Sequence, residues 1–239
     1  MKILPNIEIV DLALYFNSTL VIADVHIGYE EALNRQGILV PRLQFDEMAK
    51  RIYNIFNILK DKTIKTIIIN GDLKHEFGTI SEQEWRNTLK FLDLLAKHCN
   101  EIILIKGNHD TVLGTIARKR NVKVLENHII NKIIITHGNK IPDKDALKDV
   151  STIIIGHEHP AVSIKGGPRV ERFKCFLKGR YKGRNLIVQP SFNTLVEGTD
   201  ILRDKHLSPF LKQNLDNFEV FVVEDKVYNF GKLRNLKRV

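Results

Sequence analysis

Five short polar stretches each follow directly on an apolar run: Asp24-Val25-His26 after VIA, Gly71-Asp72 after IIIN, Gly107-Asn108-His109-Asp110 after ILIK, His137-Gly138 after IIIT, and Gly156-His157-Glu158-His159 after III. Carboxylate, amide and imidazole groups in such number suit divalent cations. Hydrolysing a phosphoester at neutral pH needs a strong nucleophile and positive charge on the phosphoryl oxygens, and two divalent ions about 4 Å apart supply both. Ions that close require a carboxylate in common, and Asp72 is the expected bridge. The donor mixture suits manganese, iron, zinc, nickel or cobalt rather than magnesium alone, and the lack of thiolates argues against a structural zinc site.

The apolar runs read as buried strands, so every candidate ligand falls where a strand ends and a loop begins, the place where layered α/β folds build their sites. In Asp24-Val25-His26 and His157-Glu158-His159 the paired groups are two apart, and an extended backbone would point both members of a pair to one side. Helical spacing covers roughly residues 43–59, and Ser81 followed by Glu84 is a capping-box signal that opens a second helix through Trp85, Leu89, Leu92 and Leu95. A short helix is expected near Ile116. Closely spaced strands follow at 122–125, 133–136, 152–155, 186–188 and 218–223. Alternating strand and helix first and mostly strands later predicts a mixed-sheet sandwich with outer helices.

The ordered series Asp-x-His, Gly-Asp, Gly-Asn-His-Asp, His, Gly-His-x-His resembles the calcineurin-like metallophosphoesterase family over Asp24 to His159. The resemblance implies a four-layered α/β/β/α sandwich of two mixed sheets, and a dinuclear centre holding manganese in the first instance. It places Asp24, His26 and His159 with Asp72 at one metal, and Asn108, His137 and His157 with Asp72 at the other. His109 is implied to face substrate, stabilising the phosphoryl group or protonating the leaving oxygen. Asp110 either orients His109 or caps the turn after it. His75, three residues past Asp72, lies within reach of metals or substrate and joins His109 and Asp110 as a catalytic candidate. The arginine that protein phosphatases and dinucleoside polyphosphate hydrolases carry after Gly-Asp is replaced here by Leu73-Lys74-His75. That run, Asp24 to Glu30, and Gln189-Pro190-Ser191-Phe192-Asn193 resemble a prokaryotic subgroup whose bacterial members are called ligase-associated DNA damage response endonucleases. The implied activity is phosphodiester hydrolysis on a nucleic acid or nucleotide. A small-molecule phosphodiesterase or phosphomonoesterase, and a non-catalytic binding protein on the same fold, are the alternatives.

The 239 residues carry a net charge of +9, unevenly placed. Residues 1–159 hold 21 Lys/Arg and 20 Asp/Glu, whereas residues 160–239 hold 16 and 8. The densest basic run, Arg169 to Arg184, offers Arg172, Lys174, Arg180 and Lys182 to DNA or RNA, or is a solvated surface without a partner. No linker or repeat divides the chain, so one domain over 1–239 is expected. Neither a membrane-spanning run nor a signal pattern is visible, which predicts a cytoplasmic protein. Cys99 and Cys175 read as free thiols, and His98, His128 and His206 as packed or surface histidines.

Overall fold

The apolar runs become strands whose ends define one edge of each of two sheets. The computed structural model describes residues 1–76, 78, 80–110, 114–166 and 169–236. The first sheet runs β1 (Lys2–Leu4), β2 (Ile7–Val10), β3 (Ala13–Phe16), β4 (Thr19–Ala23), β5 (Thr66–Asn70), β6 (Glu101–Ile105), β7 (Lys123–Leu125) in spatial order. β1 to β4 form an antiparallel meander and β4 to β7 are parallel. Parallel neighbours need long crossovers, and these contain α1 (Tyr29–Arg35), α2 (Gln44–Ile58), α3 (Glu82–Ala96) and α4 (Gly114–Lys119).

The second sheet comprises β8 (Asn127–Ile130), β9 (Ile133–Thr136), β10 (Thr152–Ile155), β11 (Pro160–Gly166), β12 (Arg169–Tyr181), β13 (Arg184–Val188), β14 (Thr199–Asp200), β15 (Glu219–Val223) and β16 (Val227–Lys232). Its path is β14-β11-β12-β13-β10-β9-β8, with β15 added to β12 and β16 to β15. The strands that matter most for the site, β9, β10 and β13, are parallel. In β9, Ile133 and Ile135 enter one apolar core and Ile134 the other; in β10, Ile154 enters the first, and Ile153 and Ile155 the second. Burial on both faces is why these strands read as unbroken isoleucine runs rather than as an alternation.

The first core joins both sheets with Met48, Ile52 and Ile55 of α2 and Phe91 and Leu95 of α3. Helices therefore cover the first sheet, as expected. Over the second sheet the outer layer is mostly irregular: Phe210, Leu211, Leu215 and Phe218 pack there with Leu147 and Val150. Its regular pieces are a 3-10 turn at Pro209–Leu211 and the single turn α5 (Leu233–Leu236). The two mixed sheets of the sandwich are thus present, with few helices. Among the described residues no helix is long and apolar enough to cross a membrane.

Ser191 and its neighbours strap the two sheets together beyond β13. Gln189 Nε2 donates to the Val21 carbonyl at 3.1 Å, Phe192 N to that of Ala23 at 2.8 Å, and Ser191 Oγ to that of Asp24 at 2.7 Å. The Gln-Pro-Ser-Phe-Asn stretch is a tie that holds the end of β4 against the second sheet.

Candidate metal centre

All five polar stretches leave the C-terminal ends of parallel strands: β4 delivers Asp24 and His26, β5 Asp72, β6 Asn108 and His109, β9 His137, β10 His157 and His159. The chains leaving β4 and β5 remain paired past the strands. Asp24 N donates to Gly71 O at 3.2 Å, His26 N to Asp72 O at 2.9 Å, and His75 N to Ile27 O at 2.9 Å. That continued ladder sets His26 beside Asp72 and brings His75 to the same rim.

The backbone is not extended through the paired motifs, contrary to the reading from spacing. Asp24, His26, Asp72, His157 and His159, five of the seven expected ligands, all have φ between 47° and 65°. Left-handed backbone is uncommon outside glycine and clusters where a functional geometry over-determines the chain. Its consequence is visible in the second pair, where His157 and His159 reach different clusters. Asp24, His26 and His159 each offer a donor atom within 4.8 Å of the others, and so do Asp72, His137 and His157. Asn108 Oδ1 lies 3.0 Å from His137 Nε2, which adds it to the second cluster.

Asp72 stands between the two. Its Oδ2 is 3.7 Å from His26 Nε2 and 3.4 Å from His137 Nε2, while Oδ1 accepts from His109 N at 2.9 Å. Asp24 Oδ2 accepts from His157 N at 2.9 Å, and its Oδ1 is buried without a hydrogen bond. Opposed ring nitrogens occur twice, His26 Nε2 and His159 Nε2 at 3.4 Å and His157 Nδ1 and His137 Nε2 at 3.2 Å. Two ring nitrogens approach so closely only with a proton or a cation between them. His137 Nδ1 lies 3.3 Å from the Asn70 carbonyl, an oxygen that only accepts, so Nδ1 carries a proton and Nε2 faces the cluster, where either a proton or a cation can answer the Asp72 carboxylate.

The electrostatics agree. Burial, then the neighbouring His159, push the His26 imidazole down to about 3; burial, then His137, push His157 down to about 4. Burial opposes charge on His137 as well, but its bond to Asp72 and the charges of Asp24 and Asp72 outweigh that and hold it up at about 9. Burial also works against the Asp72 carboxylate, yet His137 and His26 keep it well below the usual range. Positive charge is thus favoured where Asp24 and Asp72 meet His137, and neutral imidazole nitrogens and an orphaned carboxylate oxygen converge around that point. The residues fit two divalent cations.

Glycines leave room for this convergence. A Cβ on Gly107 would lie 2.1 Å from Asp72 Oδ1, and one on Gly71, whose φ is +83°, would lie 2.0 Å from His137 Nδ1.

Of the catalytic candidates, His75 and His109 lie at the rim with ring centroids 5.4 Å apart, and Tyr29 closes on His75 at 4.8 Å. Of the two roles expected of Asp110, the cap on the following turn falls at residues 111–113, outside the described residues; its carboxylate meets the loops before it. Its Oδ1 accepts from Leu73 N at 3.1 Å and its Oδ2 from Gly107 N at 3.0 Å, so it ties the Asp72 loop to the Asn108 loop from behind. Burial, then the Asp72 charge, raise it to about 7. It is 2% exposed and turned to backbone amides.

Three supports escaped the sequence reading. Lys74 is fully buried and its Nζ donates to the carbonyls of His109, at 2.7 Å, and of Glu76. Glu84 receives one half of the capping box, Glu84 N donating to Ser81 Oγ at 3.0 Å, but its carboxylate turns away. Oε1 accepts from His75 N at 2.8 Å and Glu76 N at 3.0 Å. Glu158, between two expected ligands, accepts through Oε2 from Leu207 N at 2.8 Å and Ser208 N at 2.7 Å. Ser208 Oγ in turn donates to Gly138 O at 2.7 Å, and His206 faces Glu158 at 3.6 Å. Cys175 is buried and Cys99 half-buried, both as free thiols.

The four basic residues are not brought together. Lys174 turns inward, its Nζ donating to the carbonyls of Ser191, at 2.8 Å, and of Asn193, so it braces the strap rather than facing solvent. Arg172 is exposed and donates to Gly198 O at 2.9 Å. Arg180 pairs in register with Asn185, which lies opposite Thr152 at the start of β10; with Lys182 it sits at the sheet end remote from the ligands.

The model of one protein family, the calcineurin-like phosphoesterases, matches residues 18–176. Among solved structures, the nuclease MPE from Pseudomonas putida superposes with a TM-score of 0.64 at 20% identity over 93% of each chain, a likeness of fold. A protein of unknown function from Aquifex aeolicus, AQ665, gives a TM-score of 0.39 at 19% identity over 59% of this chain and 78% of that one. Vps29 from Cryptosporidium parvum gives 0.39 at 15% identity over 90% and 97%. No curated protein matches the chain.

Proposed function

The chain belongs to the calcineurin-like phosphoesterase family, and from that premise we propose that it is a dinuclear-metal-dependent phosphodiesterase whose substrate is a nucleic acid or a nucleotide. The observation that carries the reading is the placement of Asp72 Oδ2 between two sets of converging donors, within 3.7 Å of His26 Nε2 and 3.4 Å of His137 Nε2. Asp24, His26 and His159 hold one cation, Asn108, His137 and His157 the other, and Asp72 serves both. When bound, two such ions supply Lewis acidity toward the phosphoryl oxygens and a nucleophile at neutral pH. Manganese is the first choice of metal, with iron, zinc, nickel and cobalt compatible with the same donors.

The chain's own groups do the rest. His109, fixed through its carbonyl by Lys74 and through its Nδ1 by the His75 carbonyl, keeps its ring at the rim, where it stabilises the phosphoryl group or gives a proton to the leaving oxygen. His75 lines the same rim and contacts the substrate beside it. Arg172 on β12, and Arg180 and Lys182 at the remote end of that strand and in the turn after it, supply positive charge to a polyanion long enough to reach them. The nuclease character of the similar Pseudomonas putida protein supports a nucleic-acid substrate.

The test is a substrate panel with manganese present: single-stranded DNA, duplex DNA, RNA, cyclic nucleotides, nucleotide pyrophosphates and an aryl phosphodiester. Cleavage of a nucleic acid well above the aryl diester supports the proposal. Turnover confined to small esters shifts the reading to a small-molecule esterase, and no turnover by a fully metal-loaded protein rejects catalysis.

A further inference from the structure

Next to the two clusters lies a third set of nitrogen donors. His26, His75 and His109 each offer one ring nitrogen, all within 4.8 Å of one another, and the ring centroids are 4.9 to 5.5 Å apart. Both His26 Nδ1 and His75 Nδ1 are buried without a hydrogen-bond partner. The Nδ1 of His109 lies on the His75 carbonyl, an oxygen that only accepts, so in its neutral form that ring offers Nε2 to a cation, and in its protonated form the same nitrogen is the proton donor. His75 and His109 are half-buried, which leaves the trio open to solvent on one side. It is also held in place: Glu84 fixes the His75 backbone and Lys74 the His109 carbonyl.

Three imidazoles with no carboxylate form a different donor set from either half of the dinuclear centre. Such a set favours zinc, copper, nickel or cobalt over manganese, magnesium or calcium, and three histidines with an open fourth position is a familiar zinc arrangement. We propose that His26, His75 and His109 form an inhibitory site for a borderline divalent cation, zinc in the first instance. A neutral imidazole has one lone pair, so His26 serves one cation at a time. Zinc on the trio takes His26 from the Asp24–His159 cluster and His109 from the substrate, and closes the rim. The inhibition rests on the phosphodiesterase reading; the zinc binding does not.

The experiment titrates zinc into the manganese-loaded protein and into His75→Gln, following zinc content by elemental analysis and turnover of an aryl phosphodiester. Each rate is scaled to that protein's own zinc-free rate. Circular dichroism and two retained manganese ions establish that the variant is folded. The wild type is expected to take up zinc and lose turnover as it does so, whereas His75→Gln should need at least about tenfold more zinc for both, given what lost ligand support costs in affinity. His128→Gln, on β8 opposite Ile135 and outside both the trio and the dinuclear centre, should behave as wild type. Equal zinc uptake and equal inhibition in His75→Gln would overturn the proposal, because zinc would then be entering the dinuclear centre directly. If no protein turns over substrate, the functional reading fails, and the zinc uptake of the two proteins still decides the site.

Discussion

The backbone N–H of His109 donates to Asp72 Oδ1 at 2.9 Å. One peptide unit thus joins the carboxylate between the proposed cations to the imidazole proposed to face substrate, and it leaves Asp72 Oδ2 toward the two clusters. Because the bond uses backbone, His109→Ala preserves it. This variant is expected to keep its full metal content while turnover falls about 10²- to 10⁴-fold, the usual contribution of a general acid. Metal analysis beside kcat on good and poor leaving groups checks it; lost metal, or an unchanged kcat on both, would remove His109 from this role.

Asp72→Ala should behave in the opposite way. With the shared carboxylate gone, the two clusters lose their common ligand and the negative charge that draws a cation between them. The expected result after reconstitution with manganese is fewer than one tightly held ion per chain. Two ions retained would show that Asp72 is not the bridge.

Gly107→Ala tests the close approach alone, since Gly107 has no positive φ to lose. The added Cβ would sit 2.1 Å from Asp72 Oδ1 and 2.4 Å from Asp72 N, and neither can move without shifting the loop that carries a ligand. We expect a folded protein with weakened metal binding, measured as a higher manganese concentration for half-maximal activity. Wild-type metal dependence in this variant would mean that the Asp72 loop is looser than its packing indicates.

The convergence of the candidate donors was legible because each motif stands at the end of an apolar run: three isoleucines before Asn70 and Gly71, three before Thr136 and His137, three before Gly156. Burial of both faces makes such runs, and the polar residue that ends one is conspicuous. The left-handed backbone at Asp24 and His157 was not legible, since it is imposed by the ladder to Gly71 and by the Asp24 carboxylate on His157 N, both contacts distant in sequence. Lys74, Glu84 and Glu158 were missed for the same reason. Each is a single charged residue whose role depends on backbone groups it meets only after folding. The meander of β1 to β3 went unread because strands of three or four residues are too short to show a period. The β11–β12 hairpin was hidden by an exposed, charged stretch from Arg169 to Arg172 that lacks an apolar face.

Glu158→Ala probes one of these supports. The Leu207 and Ser208 amides would lose their acceptor, at a cost of about 1–3 kcal/mol for the buried Ser208 group left unpaired, while water can reach the exposed Leu207. His157 and His159 on either side would be held less firmly, so metal affinity is expected to fall about 10- to 100-fold, the range for partners that orient ligands. Glu158→Gln keeps an acceptor oxygen and should recover most of the stability. A thermal melt and a metal titration on both variants decide it: equal loss in the two would make the charge, rather than the acceptor, the important property.

The basic residues of β12 divide into two tests. Lys174 braces Ser191 and Asn193, and Ser191 holds the Asp24 carbonyl, so Lys174→Gln should loosen the first metal and leave the salt dependence of nucleic-acid binding unchanged. Arg172, Arg180 and Lys182 should do the reverse. Each phosphate neutralised on a single strand contributes about 0.7 to the log-log slope against salt, so three contacts give roughly −2. Strand geometry puts Arg172 and Arg180 roughly 25 Å apart, at about 3.3 Å per residue. A short oligonucleotide seated at the metals can therefore reach Arg172 alone, while a longer strand reaches all three. Binding measured on a metal-loaded His109→Ala protein should show a slope that steepens with strand length, and Gln substitution of Arg180 and Lys182 should abolish only the added part. A slope insensitive to all three substitutions would place the nucleic-acid surface elsewhere on the molecule.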